Sequence, residues 1–98
     1  MASPTQVSVT ALSAGEAILL AAAPATAKRR FLRIHNTDLV NEIHVSVDGA
    51  AATVDSILIP APEVGGRGFI EWQHPHVPQG ELRALAITAD VEVVVEVG

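Results

Sequence analysis

The sequence predicts an all-β chain: one antiparallel β-sandwich of about eight short strands. Three observations carry this. Apolar and polar residues alternate with a two-residue period along most of the chain. Gly, Pro, Asp and Asn interrupt that alternation every eight to twelve residues or so, the spacing of sandwich and barrel turns. No stretch has convincing helical periodicity, residues 14–23 being the nearest to it. A jelly roll of two four-stranded sheets is one arrangement of that number of strands, although periodicity alone does not give strand order.

The elements follow in order. Val7 and Val9 alternate with Gln6, Ser8 and Thr10, which puts the valines on one face. The turn-like Ser13-Ala14-Gly15 and Pro24 bracket an apolar run at residues 17–22, which reads as a buried strand. Residues 30–36 put Leu32 and Ile34 on one face and Phe31, Arg33 and His35 on the other. Ile43, Val45 and Val47 alternate with Glu42, His44 and Ser46 before the turn pair Asp48-Gly49. Residues 56–59 form a short apolar strand that Pro60 and Pro62 confine to an edge or an extended loop. Gly65-Gly66-Arg67-Gly68 leads into the Phe69–Trp72 strand. Pro75, Pro78 and Gly80 mark a loop, and residues 82–88 read as the next strand. Val91, Val93, Val95 and Val97 make one face of the last strand, with Glu92, Val94 and Glu96 on the other. Residues 1–12 read as an N-terminal arm or edge strand, and residues 13–98 as the sandwich domain.

Composition bounds the rest. At 98 residues the chain is one domain's length. With 49% hydrophobic and 17% charged residues it is too apolar and too weakly charged for intrinsic disorder. It has no cysteine, so it carries no disulfide, thiol nucleophile or Cys-ligated metal. A net charge of −5 argues against direct nucleic-acid binding, which needs Lys and Arg against phosphates. No apolar run approaches the roughly 18 residues of a membrane span. The run at residues 17–25 and Ala25-Thr26-Ala27 imitate a secretory leader. Residues 1–15 hold no Lys or Arg and Glu16 precedes the run, so no cleaved signal is expected.

No catalytic constellation emerges, and no cofactor is expected. The five serines include no Gly-x-Ser-x-Gly elbow. Gly65, Gly66 and Gly68 lack the Lys-Ser/Thr ending of a phosphate loop. His44 reads as solvated beside Asp48, and His35 as structural. His74 and His76 flank Pro75, and in extended chain both imidazoles would face one side with Glu71 nearby. They are the best metal-ligand candidates, although a site needs three or four placed ligands. Trp72 reads as an anchor of a core or an interface.

Several features point to assembly instead. Phe31, Phe69 and Trp72 are the only aromatics, which makes a thin core for a small domain. Residues 1–27 carry a single charge, Glu16, whereas residues 28–33 hold Lys28, Arg29, Arg30 and Arg33. Either a plain edge strand or a segment covered by a neighbouring chain accounts for the uncharged stretch. Val7, Val9, the basic cluster and Trp72 are therefore the candidate interface residues. The valine-rich last strand needs pairing or cover on both sides.

Residues 29–36 (Arg29-Arg30-Phe31-Leu32-Arg33-Ile34-His35-Asn36), followed by Ile43-His44-Val45-Ser46-Val47-Asp48-Gly49, resemble small all-β virion proteins of tailed bacteriophages. The later Ile57–Pro62 and Gly68–Trp72 segments and the ending, Leu85–Thr88 with Val91–Val97, are similar to later segments of those proteins, so that the resemblance spans residues 6–98. Pro60-Ala61-Pro62-Glu63 lengthens one loop relative to that pattern. The resemblance implies a non-enzymatic capsid decoration (cement) protein on the virion surface. Its partner would be the major capsid protein, and its state a homo-oligomer, with a trimer favoured. A tail, adaptor or head-fibre component is the alternative within the virion. A small carbohydrate- or metal-binding β module is the alternative outside it.

Overall fold

The computed structural model describes residues 6–22, 28–38, 40–48, 52–53, 56–61 and 68–98. The sequence features at residues 1–5, Pro24 and Ala25-Thr26-Ala27, Gly49, and Pro62 to Arg67 lie outside them. Eight strands form: β1 Gln6–Leu12, β2 Ala17–Ala21, β3 Phe31–Asn36, β4 Ile43–Ser46, β5 Ile57–Ile59, β6 Phe69–Gln73, β7 Leu82–Ala86 and β8 Val91–Val97. No helix occurs among the described residues.

The strands build two four-stranded antiparallel sheets, ordered β1-β8-β3-β6 and β2-β7-β4-β5. Four of the pairings, β1 with β8, β2 with β7, β3 with β6 and β4 with β5, nest inside one another. The chain is thus one long hairpin rolled into two layers, which is the jelly-roll topology of an antiparallel β-sandwich.

The pleat explains which residues meet between the layers. From the first sheet, Leu32, Ile34, Val93 and Val95 point inward. From the second come Ile43, Val45, Leu82, Ala84 and Ala86. Ala86 faces Ile43 and Ala84 faces Val45 across one strand pair, so small residues offset large ones. Leu12, Leu20, Ile59 and Val77 belong to the same core. Trp72 sits opposite Leu32 on the inner face and packs against the core as a partly buried side chain.

Two strands depart from the sequence reading. Residues 17–22 read as a buried strand, but β2 is an edge strand with a register shift between Leu19 and Ala21, and only Leu20 within it is buried. A continuous apolar run carries no face information, so periodicity could not separate edge from centre. In β4 every residue is buried, including His44 and Ser46. β4 lies between β5 and β7, and His44 sits opposite Leu58 on one side and Leu85 on the other. His44 is therefore covered, not solvated. Meanwhile β8 lies between β1 and β3, so both its backbone edges are paired, and Val91, Val93 and Val95 are buried in the core.

Two glycines are tied to geometry. Gly15 has φ +82° and donates its N–H to the Ala86 carbonyl at 2.7 Å, docking the β1–β2 turn on the end of β7. At Gly80 a side-chain carbon would meet the Val47 carbonyl oxygen at 2.9 Å, so only glycine lets the two loops touch.

Candidate functional site

The outer face of the first sheet is where the strand register gathers the candidate residues. Read across β1, β8, β3 and β6, one row runs Val9, Val94, His35, Phe69. The next runs Val7, Glu96, Arg33, Glu71. Phe31 and Gln73 continue the face beyond Arg33 and Glu71. One row is thus apolar or aromatic, and the other is ionic until it reaches β1.

Arg33 organises the ionic row. Its Nε donates to Glu71 Oε1 at 2.7 Å, its Nη2 donates to the same oxygen, and its Nη1 reaches Glu96 Oε2 at 3.5 Å. The guanidinium carbon lies 5.4 Å from the centre of the Phe31 ring and 5.6 Å from that of Phe69, so the cation is held between two aromatic side chains. Gln73 Nε2 donates to Glu71 Oε2 at 2.8 Å. The Arg33 hydrogen bond, and then that from Gln73, hold the Glu71 carboxyl below its ordinary value of 4.5. His35 Nε2 stands 3.5 Å from Glu96 Oε1, an ion pair when protonated but not a hydrogen bond by geometry. Its ring leans on Phe69 with centroids 5.6 Å apart. Arg33, Glu71, Glu96 and Gln73 thus engage one another on the β3–β6 side of the face.

The β1 side is the opposite. Ser8, Thr10 and Leu12 share the register of the inward-facing β8 valines, while Val7, Val9 and Ala11 face outward. Val7 is 62% exposed and Val9 61%, beside the half-buried Val94. β1 therefore carries Val7, Val9 and Ala11 on the solvent side, whereas the aliphatic Leu32 and Ile34 of β3 face inward.

The basic cluster does not stay together. Lys28 and Arg30 are exposed, and Arg33 belongs to the ionic row. Arg29 is only 6% exposed and faces inward, away from any partner. Its Nη1 donates to the carbonyls of Pro78 at 3.0 Å and Gly80 at 2.8 Å, and its Nη2 to that of Ala22 at 2.7 Å. Gln79 clamps the same residue by accepting from its backbone N–H and donating to its carbonyl. Burial pulls the Arg29 guanidinium below its ordinary value. This residue is a staple between the end of β2, the start of β3 and the loop before β7.

The remaining candidates are dispersed. His74 and His76 lie on an exposed turn after β6, while Glu71 is engaged by Arg33. Among the described residues, no three His, Asp or Glu side chains come together as a metal-ligand set. Asn36, at the end of β3, is buried and donates to the Asn41 carbonyl at 2.7 Å, while its Oδ1 accepts from the Asp38 N–H. Asp38 Oδ1 in turn accepts from the N–H groups of Asn41 and then Val40, which lowers its carboxyl pKa. A neighbouring depression of about 200 Å³ is lined by Val40, Asn41, Glu42, Pro60, Ala61 and Thr88. That is below the usual size of a small-molecule site. Comparison with protein-family models, curated proteins and solved structures returns no match.

Sequence reading missed Phe69, Val94 and Glu96 as parts of this surface. Their outward positions were legible in the alternation, but their coming together depends on which strands pair.

Proposed function

We propose that this chain is a structural protein of a tailed-bacteriophage virion. In this reading it is a capsid decoration protein that binds the assembled head, bridges major capsid subunits and self-associates, a trimer being the state its resemblance implies. The observation that carries the reading is β1, an uncharged strand at the margin of a jelly roll with valines on its solvent side. Such a face has more to gain from burial against protein than from water. The residues of the phage-like strand also fit: Leu32, Ile34 and Asn36 face inward and Arg33 sits at the centre of the outer face.

The mechanism is mechanical and thermodynamic. A protein that binds only the assembled shell stabilises it by mass action, and area buried across subunits must be broken before the shell can expand or leak. The sugar-binding alternative gains no support, since Phe31, Phe69 and Trp72 are all partly buried, Arg33 lies over the Phe31 and Phe69 rings, and Trp72 packs against the core.

The test is binding to empty expanded heads of the phage that carries this gene. Saturation at many copies per head, with a raised disruption temperature of the head, is expected. Saturation at a single ring of copies would reassign the chain to a tail or adaptor position. No binding to heads or tails would remove the virion role.

A further inference from the structure

The backbone of β1 has an unpaired side whose polarity can be read from its neighbours. Gly98 and Phe31 exchange both N–H to carbonyl bonds, at 3.0 and 3.2 Å, at the end of the β8–β3 pairing. Bonding direction alternates along an antiparallel strand, so the even-numbered residues of β8 address β3 and the odd-numbered valines address β1. The register pairs those valines with Gln6, Ser8, Thr10 and Leu12. Val7, Val9 and Ala11 therefore aim their N–H and carbonyl groups away from β8, and no described strand pairs with that side.

The other three edges are protected. β5 has three residues and is followed by Pro60, β2 is broken by its register shift, and β6 carries Glu71 on the outer face. β1 has seven residues with no charge and no proline.

We infer that β1 pairs antiparallel with β1 of a second copy of this chain, about a two-fold axis at Val9. This rests on the self-association in the proposed function but not on the virion role. The strand is complementary to itself in this register. Val7 meets Ala11, Val9 meets Val9 and Ala11 meets Val7, each pair exchanging two hydrogen bonds, about six in all. All six outward side chains are then apolar neighbours on one face, where cross-strand contacts add to stability. On the other face Ser8 meets Thr10, with no like charges opposed. The two first sheets become one eight-stranded sheet, an isologous contact that closes on itself. The threefold state implied by the phage resemblance would require β1 to meet a different surface instead.

The experiment combines sedimentation with residue-resolved amide exchange across a dilution series of the full chain. At ~1 mM, where even a Kd of ~100 µM leaves most chains paired, a twofold mass is expected. Val7, Val9 and Ala11 amides should be protected there and lose protection on dilution, while Ser8 and Thr10 stay protected throughout. Val9→Lys should keep the monomer's melting temperature and weaken pairing at least tenfold. Val9→Pro should do the same, because the N–H it removes is not part of the β8 ladder. A monomer at ~1 mM, or a trimer or other oligomer in which the three odd-numbered amides exchange freely, would overturn the inference. So would unchanged pairing in Val9→Lys. A dimer of this kind that binds no head leaves the inference standing and removes the virion role; a head-binding monomer does the reverse.

Discussion

Replacing Arg29 by Ala removes three hydrogen bonds from a charged donor to the carbonyls of Ala22, Pro78 and Gly80. Each bond to a charged group contributes on the order of 1.5–3 kcal/mol, and keeping a guanidinium out of water offsets several kcal/mol of the sum. The carbonyls left behind are not all equal: Ala22 is exposed and can bind water, whereas Pro78 and Gly80 are half-buried. The net loss is about 3 kcal/mol. In a domain of this length 1 kcal/mol shifts the melting temperature by roughly 4–8 °C, so the drop should be about 12–24 °C. Arg30→Ala is the control, since it makes the same charge change at the adjacent, exposed position and should cost no more than ~0.5 kcal/mol. Arg29→Lys keeps the charge without the fork that reaches both sides, and should fall between the two. Thermal unfolding by circular dichroism reads all three. Arg29→Ala melting within ~4 °C of Arg30→Ala would refute the staple, and would mean that the carbonyls are equally well served by water.

Other consequences follow from the same geometry. Glu71 and Asp38 both have folded pKa values below their unfolded ones, so their contribution is fully present above the unfolded pKa, near 4.5 for Glu71, and is lost as pH falls through the folded value. Glu71→Gln should flatten the acid limb of the stability curve, and carboxyl NMR should place the Glu71 midpoint below 4.5; a midpoint at or above it would contradict the Arg33 pairing. His44 has a buried Nδ1 with no hydrogen-bond partner and lies between Leu58 and Leu85, so His44→Leu should stabilise by about 1 kcal/mol in chemical denaturation. Gly80→Ala forces a carbon against the Val47 carbonyl and should cost about 1–3 kcal/mol, an effect visible in the same assay.

Much of the fold was legible because a sheet has period two and this chain keeps to it. Leu32, Ile34, Val93 and Val95 face inward as their alternation requires, and the Gly, Pro and Asp residues fall between the strands. Where the alternation lapses, the reading lapses with it. The apolar run of β2 gave no face, and β4 gave a face but not the depth at which Leu58 and Leu85 flank His44.

The candidate surface divides in the same way. That Val7 and Val9 share a face, and that Arg33 shares one with Phe31 and His35, follows from the residues alone. That the β1 valines face solvent required β8 to be their neighbour, because Leu12 at the strand's end fixes the inward register and carries Ser8 and Thr10 with it. The meeting of Arg33 with Glu71 and Glu96 spans 38 and 63 residues of sequence and exists only once β6 and β8 flank β3. Arg29 likewise could be read as basic, but its burial was set by where the carbonyls of Ala22, Pro78 and Gly80 came to rest. Alternation is a local property and settles which way each side chain points. Partnership is a long-range one, decided when the rolled hairpin chooses which backbones lie side by side.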